Sequence, residues 1–236
     1  MRRDADTLRR WAGFGVHAFT ASGSVCGLLA TLEVLGGRFE AAFAWLFLAL
    51  VIDGVDGSIA RAVSVETSLP RFSGERLDLV VDYVTYVFVP VLALLGGGFL
   101  SGTGGVVVGA LILLSALYHF SDSESKADDY CFVGFPAVWN LVAFSIFAWG
   151  LSGAAAKIIC LALVALTFVP MHWIHPMRVR RWFTLNVAVA AVGLGVGVWV
   201  LVTGFPGGLP ARLILAGVWA YFLALAVVWR LVEAER

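Results

Sequence analysis

"LALVIDGVDGSIARAVSVETSLPRFSGERLDLVVDYVTYVF", residues 48–88, sets Asp53, Asp56, Asp78 and Asp82 within or against two otherwise apolar segments. Residues three or four apart share a face of a helix. Asp53, Asp56, Gly57, Ala60 and Arg61 therefore form one stripe at the end of the first segment, and Gly74, Asp78 and Asp82 form another at the start of the second. The link between them is short, which makes the two helices antiparallel neighbours. Their stripes then face each other at one depth.

That depth is inside a membrane. The 236 residues are 61% hydrophobic and only 14% charged, with a mean hydropathy of +0.93, a composition that no ordinary soluble domain of this length carries. Apolar runs fit to cross roughly 30 Å of hydrocarbon as helices fall at 16–35, 40–61, 74–95, 104–120, 134–151, 154–172, 183–203 and 210–230. Gly, Pro and charge clusters such as "GGGFLSGTGG" and "GFPGGLPAR" separate them. The expected fold is all-α: a polytopic membrane protein of eight transmembrane helices forming one integral membrane catalytic domain over 1–236, with its signature hairpin at 45–90.

Basic residues set the orientation. With both termini in the cytoplasm, 13 of the 16 Lys and Arg residues fall on that side, and only Arg38, Lys157 and Arg212 fall opposite, as the positive-inside rule requires. Residues 1–14, with Arg2, Arg3, Arg9 and Arg10 beside Leu8, Trp11 and Phe14, read as an interfacial amphipathic helix. No small-residue cleavage site follows a short apolar region, which argues against a removed signal peptide. Cys26, Cys131 and Cys160 are scattered without ligand or disulfide spacing and read as packing residues. The basic residues make a rim, not an aromatic-interleaved patch, so nucleic-acid binding has no support.

An aspartate at the centre of a membrane helix costs roughly 2.5 to 3.5 kcal/mol, so four of them demand compensation. Arg61, Arg71 and Arg76 are too few and too near the water boundary to supply it. Two hard divalent cations would, because they prefer oxygen ligands, and a carboxylate-held metal pair is standard equipment for displacement at phosphorus. Gly57, Ala60 and Gly74 are small and lie on the acidic faces, leaving room for a bulky phosphate ester.

"DGVDGSIAR" followed by "GERLDLVVD" resembles the signature of the CDP-alcohol phosphotransferases, D-x-x-D-G-x-x-A-R, a spacer, then G-x-x-x-D-x-x-x-D. Eight fixed positions are matched over thirty residues. The twelve residues between Arg61 and Gly74 exceed the spacer of most of the family. That longer spacing, eight spans in place of six, and "YHF", "YCFVGFPAVWN" and "HPMRVRRW" are similar to the bacterial branch whose acceptor is choline.

The resemblance implies a transferase of phospholipid biosynthesis in the bacterial inner membrane, with its active site facing the cytoplasm. The hydroxyl of choline attacks the diacylglycerol-side phosphate of CDP-diacylglycerol, giving phosphatidylcholine and CMP. It further implies that Asp53, Asp56 and Asp78 ligate Mg2+ or Mn2+, two ions in all, and that Asp82 lies at the second ion and is the catalytic base. Gly57, Ala60 and Gly74 would pack on the nucleotide and Arg61 would touch the diphosphate. Relatives of this kind are typically homodimers.

A quaternary ammonium offers no hydrogen-bond donor, so aromatic faces or an unpaired carboxylate must hold it. Tyr86 continues the stripe Gly74, Asp78, Asp82, and Tyr83 adjoins Asp82; Tyr118, Tyr130 and Trp139 lie near the same end of the chain's spans. Tyr and Trp are also enriched at membrane interfaces regardless of ligand. His119, beside the acidic loop 121–129, reads as a solvated interfacial residue. His172, His175, Arg178, Arg180 and Arg181 are candidates for gripping lipid phosphate, or equally for an orientation-setting rim.

Two other functions fit less well. Serine, inositol phosphate or glycerol phosphate as acceptor would call for cationic or hydrogen-bonding groups beside Asp82, where the sequence has aromatics. An ion-coupled carrier would show repeats or broken helices near mid-membrane, whereas these acids crowd one end of a single hairpin.

Overall fold

The computed structural model describes residues 2–63, 69–125 and 131–233, without the side chains of 2–6, 8, 9 and 230–233. Lys126, Tyr130 and Arg236, and the side chains of Arg2, Arg3, Leu8, Arg9 and Arg230, lie outside the described residues. Among the described residues eight helices follow in order: α1 (Arg2–Leu35), α2 (Phe39–Val63), α3 (Gly74–Gly96), α4 (Gly102–Ser121), α5 (Trp139–Trp149), α6 (Gly153–Thr167), α7 (Phe183–Thr203) and α8 (Leu209–Glu233). Six contain a stretch long and apolar enough to cross a membrane; α5 and α6 are shorter apolar helices. The chain is a helical, multi-pass membrane protein.

Three departures from the sequence reading have local causes. Residues 2–35 form one unbroken helix of 34 residues, about 51 Å at 1.5 Å per residue, so no break separates an interfacial helix 1–14 from the first span. Trp11 is 72% exposed near its start. Second, α5 begins at Trp139, not 134, because Gly134 takes φ +80° and Ala137 φ +55° ahead of it. Third, α6 stops at Thr167, three residues before Pro170, and not at 172.

These shortened ends make room for strands that the helical pattern did not announce. β1 (Cys131–Val133) pairs antiparallel with β2 (His172–Ile174), Cys131 opposite Ile174 and Val133 opposite His172. The ribbon thereby joins the segment before α5 to the segment after α6. Gly134 is required here: a β-carbon on it would sit 2.2 Å from the Thr167 carbonyl oxygen.

Two kinds of packing place the α2–α3 hairpin. On α1, β-carbons at Gly23 and Gly27 would sit 2.6 Å from Val81 Cγ1 and 2.8 Å from Val84 Cγ1, so this small-x-x-x-small pair lets α1 lie close against α3. At the Phe39 end of α2, Phe43 packs on Phe144, Phe147 and Phe205, with ring centroids 5.2 to 5.6 Å apart. The Glu40 carboxylate accepts the Phe205 N–H at 3.0 Å.

This end of the bundle also gathers the three basic residues set apart by the charge pattern. Arg38 pairs with Glu33, Lys157 donates to the Ser101 carbonyl at 2.9 Å, and Arg212 donates to the Gly207 carbonyl at 2.6 Å. The helix α5 is enclosed by its neighbours, with all but Leu141 and Trp149 buried. Even its polar Ser145 is satisfied inside, donating to the Leu141 carbonyl at 2.7 Å and accepting from the Trp219 indole at 2.8 Å.

Candidate active site

At the opposite end of the hairpin, carboxylate oxygens of Asp53 on α2 and of Asp78 and Asp82 on α3 lie within 4.8 Å of one another, all partly buried. Asp56, one turn beyond Asp53 and only 5% exposed, is not part of this closest group. Like charges about 4 Å apart repel by about 4 kcal/mol per pair at an effective dielectric of 20, so a dianionic or trianionic cluster here calls for a cation. The donors suit one: every ligand is a hard carboxylate oxygen, the set that Mg2+ and Mn2+ take. Asp53, Asp78 and Asp82 could hold such an ion.

The helix α3 is not α-helical throughout, and the exception lies at the site. Gly74–Asp82 and Val89–Gly96 are α-helical, and Tyr83–Phe88 between them is a π-helical turn. In a regular helix the Pro90 ring would press on the carbonyl of residue 86 and could offer it no N–H. The widened turn answers this, with the Val89 N–H bonded to the Val84 carbonyl. Tyr86 thereby enters the interior, 9% exposed, and its hydroxyl donates to Asp53 Oδ2 at 2.6 Å.

Gly57, Ala60 and Arg61 follow Asp56 on α2, and Gly74 begins α3 one turn before Asp78. Gly57 is open except for Arg61, whose Nη1 would lie 3.4 Å from a β-carbon placed there; Arg61 Nη2 donates to Ser58 Oγ at 3.1 Å. Ala60 is half-buried and Gly74 exposed. Ser73 caps α3, accepting from the Arg76 N–H. Beside Gly74 lies His17 of α1, 3.3 Å from where its β-carbon would be. The His17 Nε2 is buried without a hydrogen-bond partner among the described residues.

The aromatic candidates separate. Tyr83 is half-buried, donates to the Leu113 carbonyl at 3.3 Å and sets its ring edge-on to Phe120. Tyr118 is exposed beside Phe168, 5.7 Å between centroids. Trp139 is wholly buried, its ring 5.2 Å from Phe135. His119 corrects the sequence reading: it is buried, not solvated, because it continues the inward face of Ile112, Ser115 and Ala116 on α4.

Beyond the signature, one residue of the segment after β2 bears on the same cluster. Arg178 acts electrostatically on Asp53, while Arg181 lies over the Trp182 ring at 4.4 Å and His175 stacks on Phe132. Sequence spacing missed His17, which belongs to no motif with the aspartates, and the hydroxyl role of Tyr86. The latter had a signal: Tyr86 follows Asp82 by four on the acidic stripe.

The family model for CDP-alcohol phosphatidyltransferase matches residues 17–169, and the chain belongs to that family. Among curated relatives, it is 42% identical over 196 residues to the phosphatidylcholine synthase of Bradyrhizobium diazoefficiens, covering 82% of this chain and 70% of that one. It is 39% identical over 210 residues to that of Agrobacterium fabrum, 88% and 87% covered. It is also 40% identical over 227 residues to that of Pseudomonas aeruginosa, 94% and 93% covered.

Proposed function

We propose that this chain transfers the phosphatidyl group of CDP-diacylglycerol to choline, releasing CMP and forming phosphatidylcholine. The observation that carries the reading is the convergence of Asp53, Asp78 and Asp82 at one end of the α2–α3 hairpin, in a chain so similar to curated phosphatidylcholine synthases. Two Mg2+ or Mn2+ ions, when bound, would polarise the phosphoryl oxygens and ease the departure of CMP. Asp53, Asp56, Asp78 and Asp82 would hold them.

The residues divide the remaining work. Asp82 takes the proton from the choline hydroxyl as its oxygen bonds to the diacylglycerol-side phosphorus and the bond to CMP breaks. Gly57, Ala60 and Gly74 leave the nucleotide space against the backbone, and Arg61, already lying over Gly57, meets the diphosphate. Aromatic faces receive the trimethylammonium, with Tyr83 and the ring of Tyr86 beside the carboxylates and Tyr118 and Trp139 the further candidates.

The same reading counts α5 and α6 with the six longer helices as eight embedded segments in the bacterial inner membrane. Both termini and the carboxylates face the cytoplasm, supported by the 13-to-3 split of basic residues. The start of α1 rests at the interface, where exposed Trp11 belongs. Two chains pair as a homodimer.

Purified protein given CDP-diacylglycerol and a panel of alcohols tests this by CMP release. Choline should be the preferred acceptor over serine, inositol phosphate and glycerol phosphate, with activity lost in excess chelator and restored by Mg2+ or Mn2+. Release with another acceptor only, or undiminished activity after metal analysis finds no retained ion, overturns the reading.

A further inference from the structure

The Tyr86 hydroxyl and the Asp53 carboxylate are drawn together by two separate elements. Asp53 comes from α2; Tyr86 comes from the π-turn of α3, thirty-three residues later in the chain. At 2.6 Å the contact has the length of a charge-assisted O–H···O bond, roughly twice the strength of a neutral one. An ionised carboxylate has about four acceptor positions on two oxygens, and committing one of them to a fixed phenol orients the rest. The phenol is itself held, because Tyr86 is buried among core side chains that include Val87 and Val89.

We infer that Tyr86 is a positioning residue: its hydroxyl fixes the Asp53 carboxylate so that the carboxylate cluster binds a divalent cation tightly. This is a role for the hydroxyl, distinct from any contact its ring makes with the headgroup, and it rests on the reading that these carboxylates hold such an ion. Partners of this kind, hydrogen-bonded to a ligand and not to the ion, typically account for about 10- to 100-fold in metal affinity.

The test is Mn2+ binding by the detergent-purified protein, followed through the loss of the free-ion paramagnetic signal, in wild type, Tyr86→Phe, Asp53→Asn and the double variant. Tyr86→Phe keeps the ring and should weaken Mn2+ binding about 10- to 100-fold. In the Asp53→Asn background the same change should add nothing, because the hydroxyl acts through Asp53.

Wild-type Mn2+ affinity in Tyr86→Phe overturns the inference while leaving the proposed reaction standing. Full additivity of the two losses in the double variant overturns it too, and covers the case in which Tyr86→Phe merely loosens the fold. Absence of Mn2+ binding by the wild type would sink the metal reading itself, and this inference with it.

Discussion

His17 of α1 lies against Gly74 of α3, its Cε1 3.3 Å from the point where a β-carbon on Gly74 would sit. The first helix therefore forms one wall of the space at the mouth of the acidic hairpin. A side chain added at Gly74 must push the imidazole aside or intrude on that space, and forced overpacking costs about 1–3 kcal/mol.

Gly74→Val should accordingly raise KM for CDP-diacylglycerol by about tenfold or more, since 1.4 kcal/mol is a factor of ten, with KM for choline little changed. His17→Ala in the same chain should recover part of the loss by giving the valine room. Steady-state kinetics of the two variants and their combination decide it; no recovery in the double variant would remove the steric explanation.

Asp82→Asn should cut CMP release by about 10²- to 10⁴-fold, the usual worth of a positioned proton acceptor, while CDP-diacylglycerol still binds. Turnover and nucleotide-lipid affinity must be measured on the same preparation. A loss of less than tenfold would mean that another group, or water, takes the proton.

Arg178 reaches the field of Asp53 from outside the signature, whereas Arg181 is occupied with Trp182. An anionic diphosphate entering the cluster would gain from Arg178, and a hydrogen bond to a charged group contributes about 1.5–3 kcal/mol. Arg178→Ala should thus weaken CDP-diacylglycerol binding by at least about tenfold, and Arg181→Ala should do so less. Equal effects from both would favour a diffuse basic rim.

For the headgroup, Tyr83 offers the cleanest comparison, because its hydroxyl bonds to the Leu113 carbonyl and not to an aspartate. Tyr83→Phe should leave KM for choline nearly unchanged. Tyr83→Ala should raise it about 5- to 30-fold, corresponding to about 1–2 kcal/mol for a desolvated cation–π contact. If KM for choline is the same in both variants, the search moves to Tyr118 and Trp139.

The acidic hairpin was legible because its logic is local. Period-four spacing put Asp78, Asp82 and Tyr86 on one face, a short link brought that face to Asp53, and hydrophobicity fixed the depth. What escaped is non-local or depends on backbone detail. The pairing of Cys131–Val133 with His172–Ile174 spans some forty residues and leaves no periodic trace in strands so short. His119 followed a buried face that composition could not distinguish from a lipid-facing one, since both are apolar.

Some of the misplaced boundaries did carry signals. Pro136 and Pro170 stand inside the apolar runs 134–151 and 154–172, and proline discourages a helix from passing through the residue before it. The π-turn is subtler. Pro90 makes a disturbance one turn earlier predictable, but only the packed structure determines that the turn widens, and that the widening carries the Tyr86 hydroxyl to Asp53.

The enclosure of α5 bears on how the protein is made. Its 11 residues span about 16 Å, roughly half the hydrocarbon thickness, too little for the translocation machinery to partition into lipid as an independent segment. Almost none of its surface would face acyl chains in the finished molecule, and it carries buried Asn140 and Ser145 where a lipid-facing helix would have aliphatic side chains. Its entry therefore follows the assembly of the helices that surround it. Variants that loosen this wrapping, at Trp219 or at the β1–β2 ribbon, would act during biogenesis, lowering the yield of inserted protein more than the turnover of the molecules that complete the journey.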